Sequence, residues 1–368
     1  STNVKTSNLA TGLSDKVGQS KNIIINGAMT INQRGHSGTI TDGGYSLDRY
    51  RLNITSAGAW SITQADLGTA GPTGFRNSLK LDCDTANGSL SAGSLLQLHQ
   101  KIEAQDLQQL AYGSSGAKSV TISFWIKSNK TGTFPLELYC SDPSTNRQYI
   151  KLYTISSADT WEKKTLTFAG DTGGQINNDN GTGMTVNWYL AAGTDWTSGS
   201  NDPQWVNNDT TERAAGLTVN LADSTSNYVE ITGLQLEVGD TATEFEHRSY
   251  GDELARCQRY YYVLADGSSL ADQSFGNGIG WSSSQIEMTA AWPVVMRTAP
   301  SLVHSTGTNY YQWRNGSNDK YTNSLLISSA TTRHAIIYKN SMSGITVGMA
   351  FRVQLGDSSA YVHLNAEL

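Results

Sequence analysis

At 368 residues the chain is longer than one hydrophobic core normally supports, so two domains are expected. Only 16% of its residues are charged and the formal net charge is −6, which makes nucleic acid and anionic membrane poor partners; no apolar stretch approaches a membrane-spanning length. Thirty-six glycines, 17 tyrosines and 9 tryptophans favour strands joined by turns over helices held by ion pairs, and the expected class is all-β.

Residues 1–21 (STNVKTSNLATGLSDKVGQSK) are polar with weak apolar spacing and read as a connector or anchoring segment. No charged region followed by an apolar one opens the chain, so Sec export is not expected. Strands are expected from residue 22 onward, at 45–53, 77–84 and 95–102. One helix is predicted over 103–112, with Leu107, Leu110 and Ala111 on one stripe and Gly113 as its stop.

Four strands follow in quick succession, at 120–127, 134–140, 149–155 and 161–168, with another at 184–190 and a closing one at 228–238. Two long loops, 172–183 and 191–218, interrupt them; the second carries Trp196 and Trp205, and loops of that length are usually functional or interface-forming. A short helix is predicted at 252–260, running into three tyrosines. Beyond it come strands at 285–292, 309–314, 324–328, 335–339, 349–355 and 361–364.

Three cysteines cannot all pair, and their spacing fits neither zinc nor a disulfide scaffold. Cys83 and Cys140 continue the period-two apolar rows of Leu79 and Leu81 and of Leu136 and Leu138, so both are expected in the core, as thiols of a reducing compartment.

No residues fall into a recognisable catalytic spacing. The six histidines are scattered singly, and neither an HExxH nor a G-x-S-x-G pattern is present. Asp171-Thr172-Gly173 lacks the second copy an aspartic protease needs and reads as a turn. Gly276-x-Gly278-x-Gly280 does not open a helix, which excludes a dinucleotide role. The Asn- and Asp-rich run 177–181 lacks the acidic spacing of a calcium loop. No enzyme, cofactor or metal is expected.

Alternation offers a different kind of site. In VTISFWIK the Val120, Ile122, Phe124 and Ile126 row leaves Trp125 on the opposite face. The same count sets Tyr139 opposite Leu136, Leu138 and Cys140, sets Tyr149 and Tyr153 opposite Ile150 and Leu152, and sends Trp161 outward from Leu166 and Phe168. If these consecutive strands are hairpin neighbours, one face carries Trp125, Tyr139, Tyr149, Tyr153 and Trp161 among Lys, Glu, Ser and Thr. Such a face suits sugars, whose C–H faces stack on rings while their hydroxyls need donors and acceptors. Covering by a neighbouring subunit or by the 191–218 loop is the competing expectation, and the favoured one. A second aromatic group is Tyr310, Tyr311, Trp313 and Arg314, beside the Asn315-Gly316 turn. By the same alternation Trp188 belongs to the core.

The segment ITGLQLEVGDTATEFEHRSYGDELARCQRYYY, residues 231–262, resembles the junction in phage tail-fibre and receptor-binding proteins where a jelly-roll module hands over to a small C-terminal β domain. NIIINGAMTINQRG (22–35) is similar to the opening strand of those modules. WPVVMRTAPSL (292–302) and the closing HLNAEL are similar to motifs of their C-terminal domain. The resemblance covers nearly everything after residue 22, and none of its motifs is a catalytic or ligand signature. It implies a carbohydrate-binding-module-like jelly-roll β-sandwich at 22–247, a helical linker at 248–262 and a smaller C-terminal β-sandwich domain at 263–368 as the receptor-binding tip.

The function implied is that of a non-enzymatic virion component, a tail fibre assembled in the host cytoplasm that adsorbs to a host-surface glycan or receptor. Residues 1–21 would then engage other virion proteins. A homotrimer is expected from the resemblance and from Tyr260, Tyr261 and Tyr262, which one small helix cannot bury alone. The alternatives are a head fibre or capsid-decorating protein and a secreted non-catalytic carbohydrate-binding module. The terminal cluster Tyr310, Tyr311, Trp313 and Arg314 is preferred as the receptor site over the outward row, since a fibre presents its site away from its anchor.

Overall fold

The computed structural model describes residues 21–35, 37–268 and 272–368, so the expected connector lies outside the described residues except for Lys21. Two compact units emerge, one from residues 21–32 and 37–249, the other from 33–35 and 250–368. Both are all-β.

The first unit contains β1 (Gly38–Ile40), β2 (Arg51–Thr55), β3 (Ala59–Asp66), β4 (Asn77–Thr85), β5 (Leu95–Glu103), β6 (Val120–Ser128), β7 (Gly132–Cys140), β8 (Arg147–Ile155), β9 (Glu162–Phe168), β10 (Thr182–Ala192), β11 (Val206–Asn207) and β12 (Tyr228–Val238). They form two antiparallel six-stranded sheets, ordered β1-β3-β4-β12-β6-β9 and β11-β8-β7-β10-β5-β2. This is the jelly-roll sandwich. Strands adjacent in sequence change sheets between β4 and β5, between β6 and β7 and between β8 and β9, so the two inner faces close over one core. Phe124, Ile126, Leu136, Leu138, Trp188, Ile231 and Leu236 fill it, with Cys83 and Cys140 as small buried thiols.

Two expectations need correction. Residues 22–35 are not a strand. The pairing of β12 with β4 ends at Ile231 opposite Leu79, and a bulge follows between Thr232 and Gln235. At the bulge Gly233 has φ +63, and a Cβ there would meet Phe75 at 2.7 Å. The polar groups vacated beyond it are taken up by turns of the opening segment: Ile23 N–H donates to Leu236 O (2.8 Å), Leu234 N–H to Gly27 O (2.9 Å), and Leu236 N–H to Asn22 Oδ1 (3.0 Å). Ile24, Met29 and Ile31 are buried as a result. The helix expected at 103–112 is a 3₁₀ helix, Ala104–Leu110, stopped by Ala111 at φ 52 before Gly113 is reached.

The second unit opens on helix α1 (Tyr250–Gln258), whose Cys257 is buried. It continues with β13 (Tyr261–Asp266), β14 (Ser274–Ser282), β15 (Gln285–Ala291), β16 (Ser301–His304), β17 (Tyr311–Arg314), β18 (Lys320–Thr322), β19 (Leu326–Ser328), β20 (His334–Lys339), β21 (Ala350–Leu355) and β22 (Tyr361–Asn365). A three-stranded sheet, β13-β22-β16, and a seven-stranded one, β18-β17-β21-β14-β15-β20-β19, enclose a core of Tyr311, Trp313, Ile286, Ile337, Phe351, Val353 and Val362. The Gly276-x-Gly278-x-Gly280 pattern makes room for that core. A Cβ on Gly278 would meet Trp313 at 2.7 Å, and one on Gly276 would meet Met288 at 2.2 Å.

Candidate functional site

Jelly-roll crossing decides which outward aromatics meet. The neighbours of β6 are β12 and β9, whereas those of β7 are β8 and β10, so the consecutive strands 120–127 and 134–140 lie in different sheets. The premise that all four strands share one face is therefore wrong. The five-residue row divides into three environments.

Tyr149 and Tyr153 point inward, against expectation. Tyr149 stands edge-on to Phe168 (4.9 Å), and Tyr153 stacks on Phe134 (5.7 Å) and meets Phe124 edge-on (5.3 Å). The strand YIKLYTI is apolar on both faces, and ring packing wins: Leu152 is left 37% exposed while both tyrosines are 5% exposed.

Tyr139 does lie on the outer face of the second sheet, and the 191–218 loop seals that face. Arg213 reaches back from the loop to Glu137, Nε to Oε1 at 2.8 Å and Nη2 to Oε2 at 2.9 Å, with its guanidinium 4.5 Å from the Tyr139 ring centroid. Glu137 Oε2 also accepts from Asn187 Nδ2 (2.7 Å) and from the Tyr189 hydroxyl (2.8 Å). Burial opposes the charge on Arg213, but Glu137 beside it holds the guanidinium above its ordinary pKa. Burial, with the Arg51 and Lys101 charges behind it, pushes neighbouring His99 down to about 3, so it packs there as a neutral ring.

Trp125 and Trp161 remain on the open outer face of the first sheet, together. The β6 and β9 register sets Trp125 opposite Lys163 and Ile126 opposite Glu162, which makes Trp161 the diagonal neighbour of Trp125, about 7–8 Å away. The sheet adds a third ring that sequence reading did not single out. Tyr228 lies on the same face, with the Lys127 ammonium between it and Trp161, 5.7 Å and 5.2 Å from their ring centroids. Its signal was legible, because Tyr228 and Glu230 alternate with buried Val229 and Ile231.

Charges fix these rings. Lys127 Nζ is 2.8 Å from Glu230 Oε1, Ser78 Oγ donates to Glu230 Oε2 at 2.8 Å, and Lys80 Nζ is 2.8 Å from Asp82 and 5.3 Å from the Tyr228 centroid. Tyr228 Oη donates to Asp159 Oδ1 at 2.6 Å; burial first, then this bond, pushes the phenol up, so it stays a neutral donor. Lys80, Lys127 and Lys163 balance Asp82, Asp159 and Glu230. The result is a charge-neutral surface of three half-buried rings rimmed by donors and acceptors, able to stack a pyranose and to bond its hydroxyls.

The preferred cluster in the second unit is corrected. Tyr311 and Trp313 are fully buried core residues, and the single Tyr311 hydroxyl proton lies within reach of two acceptors, Ser305 O (2.8 Å) and Tyr361 O (2.9 Å). Tyr310 is half-buried, and Arg314 alone of the four presents a charged end to solvent, with Nε 2.6 Å from Asp319 Oδ2. The tyrosines proposed for a trimer interface are corrected too. Tyr260 is 1% and Tyr261 5% exposed in the single chain. The Tyr261 hydroxyl bonds His363 Nδ1 at 2.6 Å, Arg34 stacks on its ring at 3.7 Å, and Tyr262 is half-buried in β13. The chain therefore turns straight from helix into strand and buries two of its tyrosines unaided.

Two loop motifs are structural. Asp171 receives Arg147 through both oxygens, Nη2 at 2.9 Å and Nε at 3.0 Å, and caps its own turn from Gly173 N–H (2.9 Å). Asp179 caps Gly181 N–H likewise (2.8 Å), and among the described residues no group of His, Cys, Asp and Glu is arranged to hold a metal.

No protein-family model matches the chain, and no curated protein sequence is similar to it. Part of the chain is similar to solved structures. The enzymatically active domain of bacteriophage CBA120 tailspike protein 4 is 11% identical over 59% of this chain and 21% of that one, with a TM-score of 0.31, so the match spans about a fifth of that domain. A family 11 carbohydrate-binding module from Clostridium thermocellum, in complex with a mixed-linked tetrasaccharide, is 11% identical over 58% of this chain and 99% of that one, TM-score 0.28. The module TmCBM61, in complex with galactotriose, is 11% identical over 60% and 99%, TM-score 0.29.

Proposed function

We propose that this chain is a non-catalytic glycan-recognition protein, and that it forms the distal part of a phage tail fibre, touching the host surface as a homotrimer. The glycan reading is carried by one observation: Trp125, Trp161 and Tyr228 share an open, charge-balanced sheet face with Lys127 fixed between two of the rings. Aromatic rings grouped on one surface, unlike rings scattered singly, mark a ligand or partner contact. The neutral balance of the rim suits an uncharged saccharide, with Lys127, Lys80 and the accessible carboxylates of Asp82 and Asp159 as hydroxyl partners.

The fibre reading is supported by the resemblance of residues 231–262 and 292–302 to phage fibre junctions. Its trimer rests on that resemblance alone, since Tyr260 and Tyr261 are already buried in the single chain.

A neutral-glycan array probed with the full chain tests the site. Binding that falls ~10- to 100-fold in Trp161→Ala, with unchanged circular dichroism, is expected. An unchanged array pattern in that variant removes the site. Light scattering tests the assembly: three times the 39.7 kDa chain mass is expected, and a monomer removes the fibre reading while leaving the glycan site standing.

A further inference from the structure

The solvent face of the seven-stranded sheet holds an electrostatic conflict. Arg314 on β17 and Arg352 on β21 stand directly opposite each other. Their strand neighbours Tyr311, Trp313, Phe351 and Val353 are core residues, so both guanidiniums project from the other side. Like charges directly opposite across an antiparallel pair destabilise a sheet. Asp319 and Gln312 Oε1 (3.2 Å from Nη1) partner Arg314. Arg352 is exposed, and among the described residues its guanidinium has neither an ion pair nor a hydrogen bond.

Beyond Asp319, the register neighbours of this pair are polar and aromatic side chains. The strand order β18-β17-β21-β14 sets Tyr321, 45% exposed, opposite Gln312, and sets exposed Asn277 opposite Arg352 on its other side. Tyr321 is thus the diagonal neighbour of Arg314, within about 7–8 Å. A planar fork of donors beside a solvent-facing ring and two amides is complementary to a carboxylate carried on a hydroxylated ring.

We propose that this face is a second glycan site, and that its ligand is an acidic saccharide of the uronic or sialic acid class. The forks of Arg352 and Arg314 take the carboxylate, the Tyr321 ring meets a C–H face of the sugar, and Gln312 and Asn277 bond hydroxyls. The choice of a saccharide rests on the glycan-binding function proposed for the chain; the anion rests on the arginine pair. An anion between the two guanidiniums also removes their mutual repulsion, so ligand binding and sheet stability reinforce each other.

Calorimetric titration of the full chain with a galacturonate oligomer and a sialic acid oligomer, each beside its methyl-esterified form, and with inorganic phosphate, tests the assignment. At least one carboxylated oligomer is expected to bind, its ester not to, and Arg352→Gln to weaken binding ~10- to 100-fold. The melting temperature of that variant should hold or rise, because a like-charge contact is gone. Failure of both acidic oligomers, equal binding of the esters, or an unaffected Arg352→Gln variant overturns the site. Phosphate binding as tightly as the oligomers overturns the saccharide. Trp161→Ala separates the two proposals: acidic-oligomer affinity retained in that variant supports this site whatever the neutral array shows, and its loss there overturns it.

Discussion

Two tryptophans in nearly interchangeable contexts take opposite fates. Trp125 in SFWIK on β6 looks out to solvent beside Lys127, whereas Trp313 in YQWR on β17 is fully buried beside Gln312 and Arg314. Both strands alternate faithfully. Alternation sorts residues into two rows, but which row faces the core depends on what the opposite layer offers. On β6 the row of Phe124 and Ile126 already fills the sandwich, so Trp125 is left outside. On β17 the competing row is Gln312 and Arg314, and β14 supplies Gly278, whose missing Cβ leaves room for the indole of Trp313.

The largest expected effect breaks this contrast at its strongest point. Trp313→Ala should cost the second unit about 3–5 kcal/mol, since it deletes a fully buried ring packed against Gly278, which has no side chain to refill the gap. Hydrogen exchange in β17 and β21, followed by mass spectrometry, should show that loss. Trp125→Ala should leave exchange in β6 nearly unchanged, with a cost under about 1 kcal/mol. Equal protection losses in the two variants would mean that the solvent-facing ring is also structural.

The next effect compares a sealed sheet face with the open one. Arg213→Ala leaves Glu137 buried without its bidentate partner and should cost about 3 kcal/mol, whereas Lys127→Ala breaks a single contact to Glu230, which keeps its bond from Ser78, and should cost less, about 1–2 kcal/mol. Urea unfolding of the two variants reads the difference. Proteolysis of the 191–218 loop in Arg213→Ala, absent in the parent, would place the weakness where the ion pair was lost.

The smallest effect is a pH dependence that separates the units by their buried histidines. Burial pushes His363 down to about 4, with Arg34 lowering it further and Asp266 opposing, and pushes His99 down to about 3. A folded pKa below the unfolded value near 6.5 means the unfolded chain binds more protons between the two. Stability is therefore full above about pH 6.5 and falls as the pH drops toward the folded value, at about 1 kcal/mol per pH unit for each group. Acid titration of the second unit should show this loss between about pH 6.5 and 4, and His363→Phe should flatten it. A slope unchanged in that variant would assign the acid sensitivity to other groups.

The sequence by itself determined the class, most strands and the rows within them. Gly-, Ser- and Thr-rich composition and period-two patterns marked β4 to β10, β12, β15, β17 and β19 to β22 to within a few residues, because strand alternation is a local property of side-chain solvation. It missed β1, β3, β11, β13, β14, β16, β18 and the conformation of residues 22–35. The short or glycine-rich strands carry little apolar signal, and the opening segment is fixed by hydrogen bonds to β12 more than 200 residues away. Of the candidate sites, Trp125, Trp161 and Arg314 kept their outward places, while Tyr149, Tyr153, Tyr311 and Trp313 went into the core and Tyr139 went under a loop. Tertiary structure alone decided these outcomes. Whether consecutive strands share a sheet, whether a loop folds back through Arg213 onto Glu137, and whether Arg314 faces Arg352 are matters of long-range register, set by packing both cores at once and carried by no local stretch of residues.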